Sequence, residues 1–499
     1  MSERYRHYLR DRYRVLSAYI GGILIVVGLT MLAPLLLLPL FPDEIALAPA
    51  FLISAVPVVV AGVGLRVRVD TSEARSPNLQ EGMVAILIAW VLAIVVGALP
   101  LMMISSLDFT QAIFESTSGW TTTGLSVVDV ERAPRLVLFY RSVIQLIGGA
   151  GFAIIVLSAI TGPTGSGLSI AEGREDQLAP HVRRSAEIVI RIYLAYCVFG
   201  IIALMIAGMN WFDAVNHAFS ALSTGGFSTR AESIGYYDSA LIELVIIVLM
   251  LLGTLNYLTA YVLWQGKFKA VRKNGELRLM SVLIPVGVLL IFLSVGLSEY
   301  AADATKGIRV ALFEVTSALS TTGFSTEPYT DWSSTGWMVL ILAMLIGGGS
   351  GSTSGGIKLF RIYVLIKALI WEVRMAFLPQ HAVNEAIIWR GDKQSLLSDK
   401  QIRRIALFVF LYFMLFFVLV IVITAHGHDI GAAMFESAST LSTVGLSVGI
   451  TAPDAPWTLL WAQSVGMLLG RLEFFAFLIG ITKLIRDAGD LLHPIRARH

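Results

Sequence analysis

Charge is the first thing this sequence is short of. Only 14% of its 499 residues are Asp, Glu, Lys or Arg, where a soluble chain would carry about 25%. Against that deficit stand 56% hydrophobic residues and a mean hydropathy of +0.75. The balance excludes an ordinary soluble protein and places the chain in a bilayer. A marked excess of either sign is missing too. The net value is +2, so no strong global field marks a nucleic-acid partner, and none is expected. The single cysteine, Cys197, rules out an intrachain disulfide. The eight histidines show no H-E-x-x-H or other ligand spacing. No nucleotide-binding fingerprint occurs and no polar connection is long enough for a cytosolic domain, so no organic cofactor is expected. One enzyme-like pattern exists, Gly445-Leu446-Ser447-Val448-Gly449, which fits G-x-S-x-G. Three related stretches lose its second glycine, at Val128, Arg230 and Glu327. Nothing there suggests a strand–turn–helix, so the chain is not read as an enzyme.

Long apolar runs are abundant. A spanning helix needs about 20 apolar residues, and ten runs qualify: 19–41, 46–65, 83–104, 134–160, 185–207, 239–263, 278–297, 335–372, 403–425 and 457–482. The first follows the basic stretch RYRHYLRDRYR. It is too long for a secretory core and lacks a clear cleavage site, so it is expected to stay as a helix. Alternate connections are basic: Arg66 and Arg68; Arg183, Arg184 and Arg191; Lys267 to Arg278; Lys367 to Arg404; and Lys483 to Arg498. The others are richer in acids, among them Asp43, Glu44, Asp108, Asp213, Asp303 and Asp429. Lys/Arg excess marks the cytoplasmic side. Both termini are therefore expected in the cytoplasm, with the chain passing many times through the plasma membrane.

One short phrase is written four times: WTTTGLS at 120–126, LSTGGFS at 222–228, LSTTGFS at 319–325 and LSTVGLS at 441–447. Each closes a semi-polar stretch between two spans, on the acid-rich side. Ten residues before each glycine stands Phe114-Glu115, Asn216-His217, Phe313-Glu314 or Phe435-Glu436. About ten residues make a short helix but not a crossing, so each stretch reads as a re-entrant hairpin. The period of about 100 residues defines an internal repeat. A two-helix preface at 1–82 precedes pore repeats at 83–160, 185–263, 278–372 and 403–486. A basic cytoplasmic loop at 373–402 splits the last two, and 487–499 form a cytoplasmic tail. The fold class expected is an all-α polytopic membrane protein of about ten transmembrane helices, with four re-entrant pore hairpins in pseudo-fourfold arrangement around one pore.

Non-helical backbone at membrane depth survives only where protein buries it or a watery cavity receives it. Glycine frees carbonyls from the helical ladder, and a ring of carbonyls can replace the hydration shell of a cation. One strand makes no ring, but four do. A lone phrase of this kind would more often be a helix-packing motif, whereas four aligned copies on one side favour an ion selectivity filter. Its residues would be Thr121, Thr122, Thr123 and Gly124; Ser223, Thr224, Gly225 and Gly226; Ser320, Thr321, Thr322 and Gly323; and Ser442, Thr443, Val444 and Gly445.

Two further constellations stand out. The run Ile346 to Lys358, IGGGSGSTSGGIK, lies inside the eighth span. Each glycine costs a helix about 1 kcal/mol, so two half-helices joined by a loop are expected. A packing break is the plain alternative; a phosphate cradle fits neither glycine motif. Arg471 sits within the last span, where a cation costs about 2.5–3.5 kcal/mol on insertion scales. It needs a polar cavity or a partner carboxylate. Glu473 is two positions on, toward the opposite face, and reads as an anchor to neighbouring helices. Glu115, Glu314 and Glu436 either lend negative potential to the outer mouth or hold the filter from behind.

The four Thr-x-Gly-[Leu/Phe]-Ser phrases, the GGGSGSTSGGIK run and GRLEFF resemble the superfamily of potassium transporters comprising TrkH, KtrB and the fungal and plant Trk/HKT proteins. The resemblance covers about 83–486. The preface looks like the TrkH branch, and STVGLS looks more like KtrB. The resemblance implies potassium as the transported ion, coordinated at the filter residues, with glycine rather than serine at 124 fitting potassium over sodium. It implies a gate made of Gly347, Gly348, Gly349, Ser350, Gly351, Ser352, Thr353, Ser354, Gly355 and Gly356, with Arg471 projecting beneath the filter. It further implies a homodimer among membrane lipid in a prokaryotic inner membrane, working with a cytosolic RCK-type nucleotide-binding subunit (TrkA or KtrA in relatives). A potassium symporter coupled to sodium or protons on the same scaffold is the other function these features allow.

Overall fold

The computed structural model describes residues 3–68, 78–150, 182–379, 387–390 and 393–492. The preface is α1 (Glu3–Leu32) and α2 (Ala48–Val67). The first helix begins well before residue 19, because the charged stretch at its start continues the same helical turn. It ends early, at Ala33-Pro34, where one 3-10 segment takes over.

Each repeat is then a helix, a short inner helix, an extended strand and a second helix. Repeat one uses α3 (Leu79–Ile104), α4 (Phe109–Trp120) and α5 (Arg135–Gly149); the expected continuation of this span to residue 160 lies outside the described residues. Repeat two uses α6 (Val182–Ile206), α7 (Trp211–Leu222) and the pair α8 (Ala240–Thr254) and α9 (Tyr257–Trp264). A six-residue helix, α10 (Phe268–Lys273), leads to repeat three, with α11 (Gly275–Ile291), α12 (Ala304–Ser320), α13 (Ser334–Ile346) and α14 (Leu359–Met375). The 373–402 loop carries a small hairpin, β1 (Ile387–Arg390) against β2 (Lys393–Leu396), antiparallel with Ile387 opposite Leu396. Repeat four uses α15 (Asp399–Ala425), α16 (Ile430–Leu441), α17 (Trp457–Leu472) and α18 (Phe475–Leu492).

Six of these helices are long and apolar enough to cross a bilayer alone. The continuous spans expected over 239–263 and 457–482 are instead sharply bent, by 113° between α8 and α9 and by 102° between α17 and α18. Asn256 causes the first break, because its side chain leaves the helix to cap Leu258 N–H at 2.8 Å. Glu473, at φ +50°, makes the second. The eighth span divides as the glycine run predicts, into α13 and α14 with residues 347–358 between them.

The four inner helices start alike. Asp108, Asn210, Asp303 and Asp429 each accept a hydrogen bond from the first-turn backbone, at 2.8–3.0 Å, which satisfies donors that helix geometry orphans. Polar contacts occur toward both ends of the bundle. On the side carrying those caps, Glu44 binds Arg135 N–H and Lys306 meets Glu327. On the other side Arg12 pairs with Glu81, Tyr13 with Asp487, and the Lys273 ammonium lies 5.2 Å over the Trp389 ring.

Candidate ion pathway

Each inner helix ends in a tight turn, and there the backbone departs from ordinary geometry. Thr122, Thr224, Thr321 and Thr443 have φ between +51° and +57°, and the glycine two positions later lies between +75° and +101° in every repeat. A left-handed threonine costs of the order of 1–3 kcal/mol, so this conformation persists four times only because its surroundings impose it. The hydroxyl-bearing residues are buried, and the glycines are partly open to solvent.

The four strands meet. A methyl group added to Gly124 would strike the Gly225 carbonyl; at Gly226 it would strike Thr322 O, at Gly323 Val444 O, and at Gly445 Thr123 O. Repeat one abuts two, two abuts three, three abuts four, and four returns to one. The residues expected at the filter therefore form a closed ring of backbone, with no room for a side chain at any of its four glycines.

Behind the ring, the inner helices hold the strands. Glu115 accepts from Ser126 Oγ and Val127 N, both at 3.0 Å. Glu314 accepts from Thr326 N at 2.7 Å and Tyr329 OH at 2.5 Å. Glu436 accepts from Val448 N at 3.1 Å and Thr451 Oγ1 at 3.1 Å, with Ser447 Oγ also bound. All three carboxylates are fully buried. Of the two roles the sequence left open, the contacts are those of a brace. His217 fills the same slot, its Nε2 2.9 Å from Ser228 Oγ. The carboxylate of that repeat sits one turn earlier, where Asp213 accepts from Thr229 Oγ1 at 2.6 Å and Tyr237 OH at 2.7 Å.

Residues 347–358 pack directly against the inner ends of the strands. Gly355 N donates to Thr321 Oγ1 at 2.8 Å, Thr353 Oγ1 donates to Gly253 O at 2.9 Å, and Thr224 Oγ1 donates to Thr353 Oγ1 at 3.1 Å. Gly355 also abuts Ser442 and Thr443. The loop's far end is fastened to the break in span six and to the first turn of α11: Asn256 Nδ2 donates to Ser350 O, and Ser350 N donates to Glu276 Oε1 at 2.9 Å. Its two stems are joined by Ile357 N to Leu345 O at 3.0 Å and Leu359 N to Gly348 O at 2.8 Å. Arg471 completes the enclosure. It donates to Thr353 O at 2.6 Å and to Gly148 O at 2.7 Å. Two charge-assisted bonds of about 1.5–3 kcal/mol each offset the cost of a cation at this depth. Glu473 pairs with Arg361, on the helix leaving the loop, whose guanidinium lies 3.9 Å over the Phe408 ring.

Sequence reasoning missed Arg141, Gln145, Asn256, Glu276 and Arg361, and read Asp213 only as an acid of an outer connection. Arg141 is the clearest omission. It is buried in span four, with Nε 2.7 Å from Glu115 Oε1 and its guanidinium 4.0 Å over the Phe227 ring. An ionisable residue inside an apolar run was the signal available.

A bundle of apolar helices, six of them long enough to cross a bilayer alone, is the architecture of a multi-pass membrane transporter. A family model described as TrkH, cation transport protein, matches residues 48–488. The Trk system potassium uptake protein TrkH of Halomonas elongata is 31% identical over 484 residues, spanning 94% of this chain and 98% of the relative. TrkG of Escherichia coli strain K12 is 32% identical over 489 residues, spanning 93% and 97%. The crystal structure of the potassium transporter TrkH from Vibrio parahaemolyticus matches with a TM-score of 0.82 at 28% identity, covering 97% of this chain and all of that one. This chain belongs to the TrkH family of cation transport proteins, a transporter family and not an enzyme family.

Proposed function

We propose that the chain carries potassium into the cell through the four-strand ring, with residues 347–356 and Arg471 as the gate. The observation that carries this reading is the cyclic contact of Gly124, Gly226, Gly323 and Gly445 with the preceding carbonyl of the next repeat. Carbonyls so arranged can stand in for the water shell of an unhydrated cation. Relatives named for potassium uptake supply the ion.

The gate reading rests on position. The glycine-rich loop binds threonines of two filter strands and abuts a third, while Arg471 ties it toward the first repeat. An ion leaving the ring inward would meet this loop and a positive charge. The basic layer, with Lys273, Arg374 and the β-hairpin, is assigned to the cytoplasm by its Lys/Arg excess. It offers a surface for a cytosolic nucleotide-binding subunit of the kind implied by relatives that bear a Trk system name. A homodimer in the plasma membrane completes the proposal.

Radioactive rubidium uptake into proteoliposomes holding this chain, alone and with its cytosolic partner, tests it. Uptake that potassium blocks and sodium does not supports the filter. Equal block by both ions sinks the potassium assignment. Uptake that moves sodium or protons in fixed stoichiometry replaces the channel with a symporter. Equal flux with and without the partner under every nucleotide removes the regulatory step.

A further inference from the structure

The ring is not built from four equivalent quarters. Three residues before a glycine near the inner end of each second helix stands Gln145, Met250, Met344 or Met467; the glycines are 148, 253, 347 and 470. All four side chains are fully buried. The methionines share apolar clusters with the filter strand of the next repeat: Met467 with Leu125 and Val127, Met250 with Phe324, and Met344 with Val444 and Leu446. Gln145 faces the next strand likewise, but it bonds to the backbone. Its Nε2 donates to the Gly225 carbonyl at 2.5 Å, and its Oε1 accepts from Phe227 N at 3.2 Å. The pair of bonds fixes which way the amide points.

The strand has a matching exception. The position before the ring glycine is Thr123, Thr322 or Val444 in three repeats and Gly225 in the second. A Cβ at Gly225 would lie 2.5 Å from the Gln145 amide carbon. The amide thus occupies the space a side chain takes elsewhere. Thr123 and Thr322 instead bond the hydroxyls of Thr121 and Ser320, each at 2.7 Å. Among the described residues, no side chain donates to the carbonyls of Thr123, Thr322 or Val444, whereas Gly225 O is held.

We propose that Gln145 is a specificity-determining positioning residue: by seating its amide in the side-chain space of Gly225 it donates to one of the four ring carbonyls and lowers what that oxygen can offer the ion, leaving three without a competing donor. The inference rests on the filter reading above and goes beyond it, because it assigns the ring a built-in inequality. A cation held by three free carbonyls and one already satisfied is bound less tightly than one held by four. Gln145 therefore weakens the preference for potassium and speeds ion release.

The test compares the full-length protein with Gln145→Met, Gly225→Thr, the Gln145→Met/Gly225→Thr double variant and Gln145→Glu, each purified to a monodisperse state. Rubidium uptake in proteoliposomes is read with potassium and sodium as competitors. Gly225→Thr alone forces a side chain into the amide and should lose most uptake. The double variant, which copies the other three repeats, should recover it with potassium preferred over sodium by about threefold or more beyond the parent. Gln145→Glu keeps the shape, removes the donor and should move the ion preference. An uptake no better in the double variant than in Gly225→Thr, or an unchanged preference in both monodisperse Gln145 variants, overturns the inference. Gly226→Ser is the control that separates the two readings. If it alters selectivity while the Gln145 series does not, only this inference fails; if it too is silent, the filter reading fails with it.

Discussion

Arg471 donates to the Thr353 carbonyl at 2.6 Å, which joins the last membrane span to the middle of the glycine-rich loop. The same guanidinium reaches Gly148 in the first repeat, so one side chain closes the enclosure that the loop leaves open. Removing it should free the loop. Arg471→Ala is expected to raise rubidium uptake by the chain alone about tenfold, since losing one or two charge-assisted hydrogen bonds shifts a two-state equilibrium by at least that factor. A fall in uptake from a protein of normal size-exclusion profile would argue against a gate.

The loop itself gives a second expectation. Residues 347–356 are anchored at one end by Thr224 and Thr321 and at the other by Asn256 and Glu276. Shortening this segment should raise uptake and reduce its dependence on the cytosolic partner. Glu276→Ala should act in the same direction more weakly, and Glu276→Gln should restore the parent rate because its amide oxygen still accepts from Ser350 N.

Selectivity should track the ring glycines. Gly226→Ser and Gly323→Ser each place a side chain at positive φ and against a neighbouring carbonyl, a conformation strained for any L residue. Both should lower potassium preference over sodium in competition assays. Unchanged selectivity in a well-folded variant would remove the ring from ion recognition.

Glu115 and Arg141 form a fully buried ion pair behind the first strand. Breaking a pair of this kind by removing one partner costs about 3–5 kcal/mol, because the other charge stays buried and alone. Glu115→Ala should therefore lower the thermal unfolding midpoint in detergent markedly. The Glu115→Gln/Arg141→Met variant, which removes both charges, should recover part of the loss.

The fourfold plan was open to reading because its signal is local. Seven consecutive residues carry each phrase, an Asp or Asn cap precedes each inner helix, and the glycine run breaks span eight by helix propensity alone. The breaks at Asn256 and Glu473 were hidden for the opposite reason. Neither has a proline or a glycine cluster, and the residues they hold, Ser350 for Asn256 and Arg361 for Glu473, lie about 100 positions away in the chain. Arg471 and Gly148 are 323 residues apart, and no periodicity links them. Gln145 was overlooked because one amide in an apolar helix looks unremarkable until the methionines of the other repeats lie beside it.

The contact between Gly445 and Gly124 also dictates an order of assembly. These residues are about 320 positions apart, a long-range closure of the sort that slows folding. During synthesis at about 5–20 residues per second, the first strand precedes the fourth by roughly 16–64 s, and until then the ring has an open flank. A ribosome that stalls within 373–402 would leave a three-sided intermediate, and membrane quality control would meet it first.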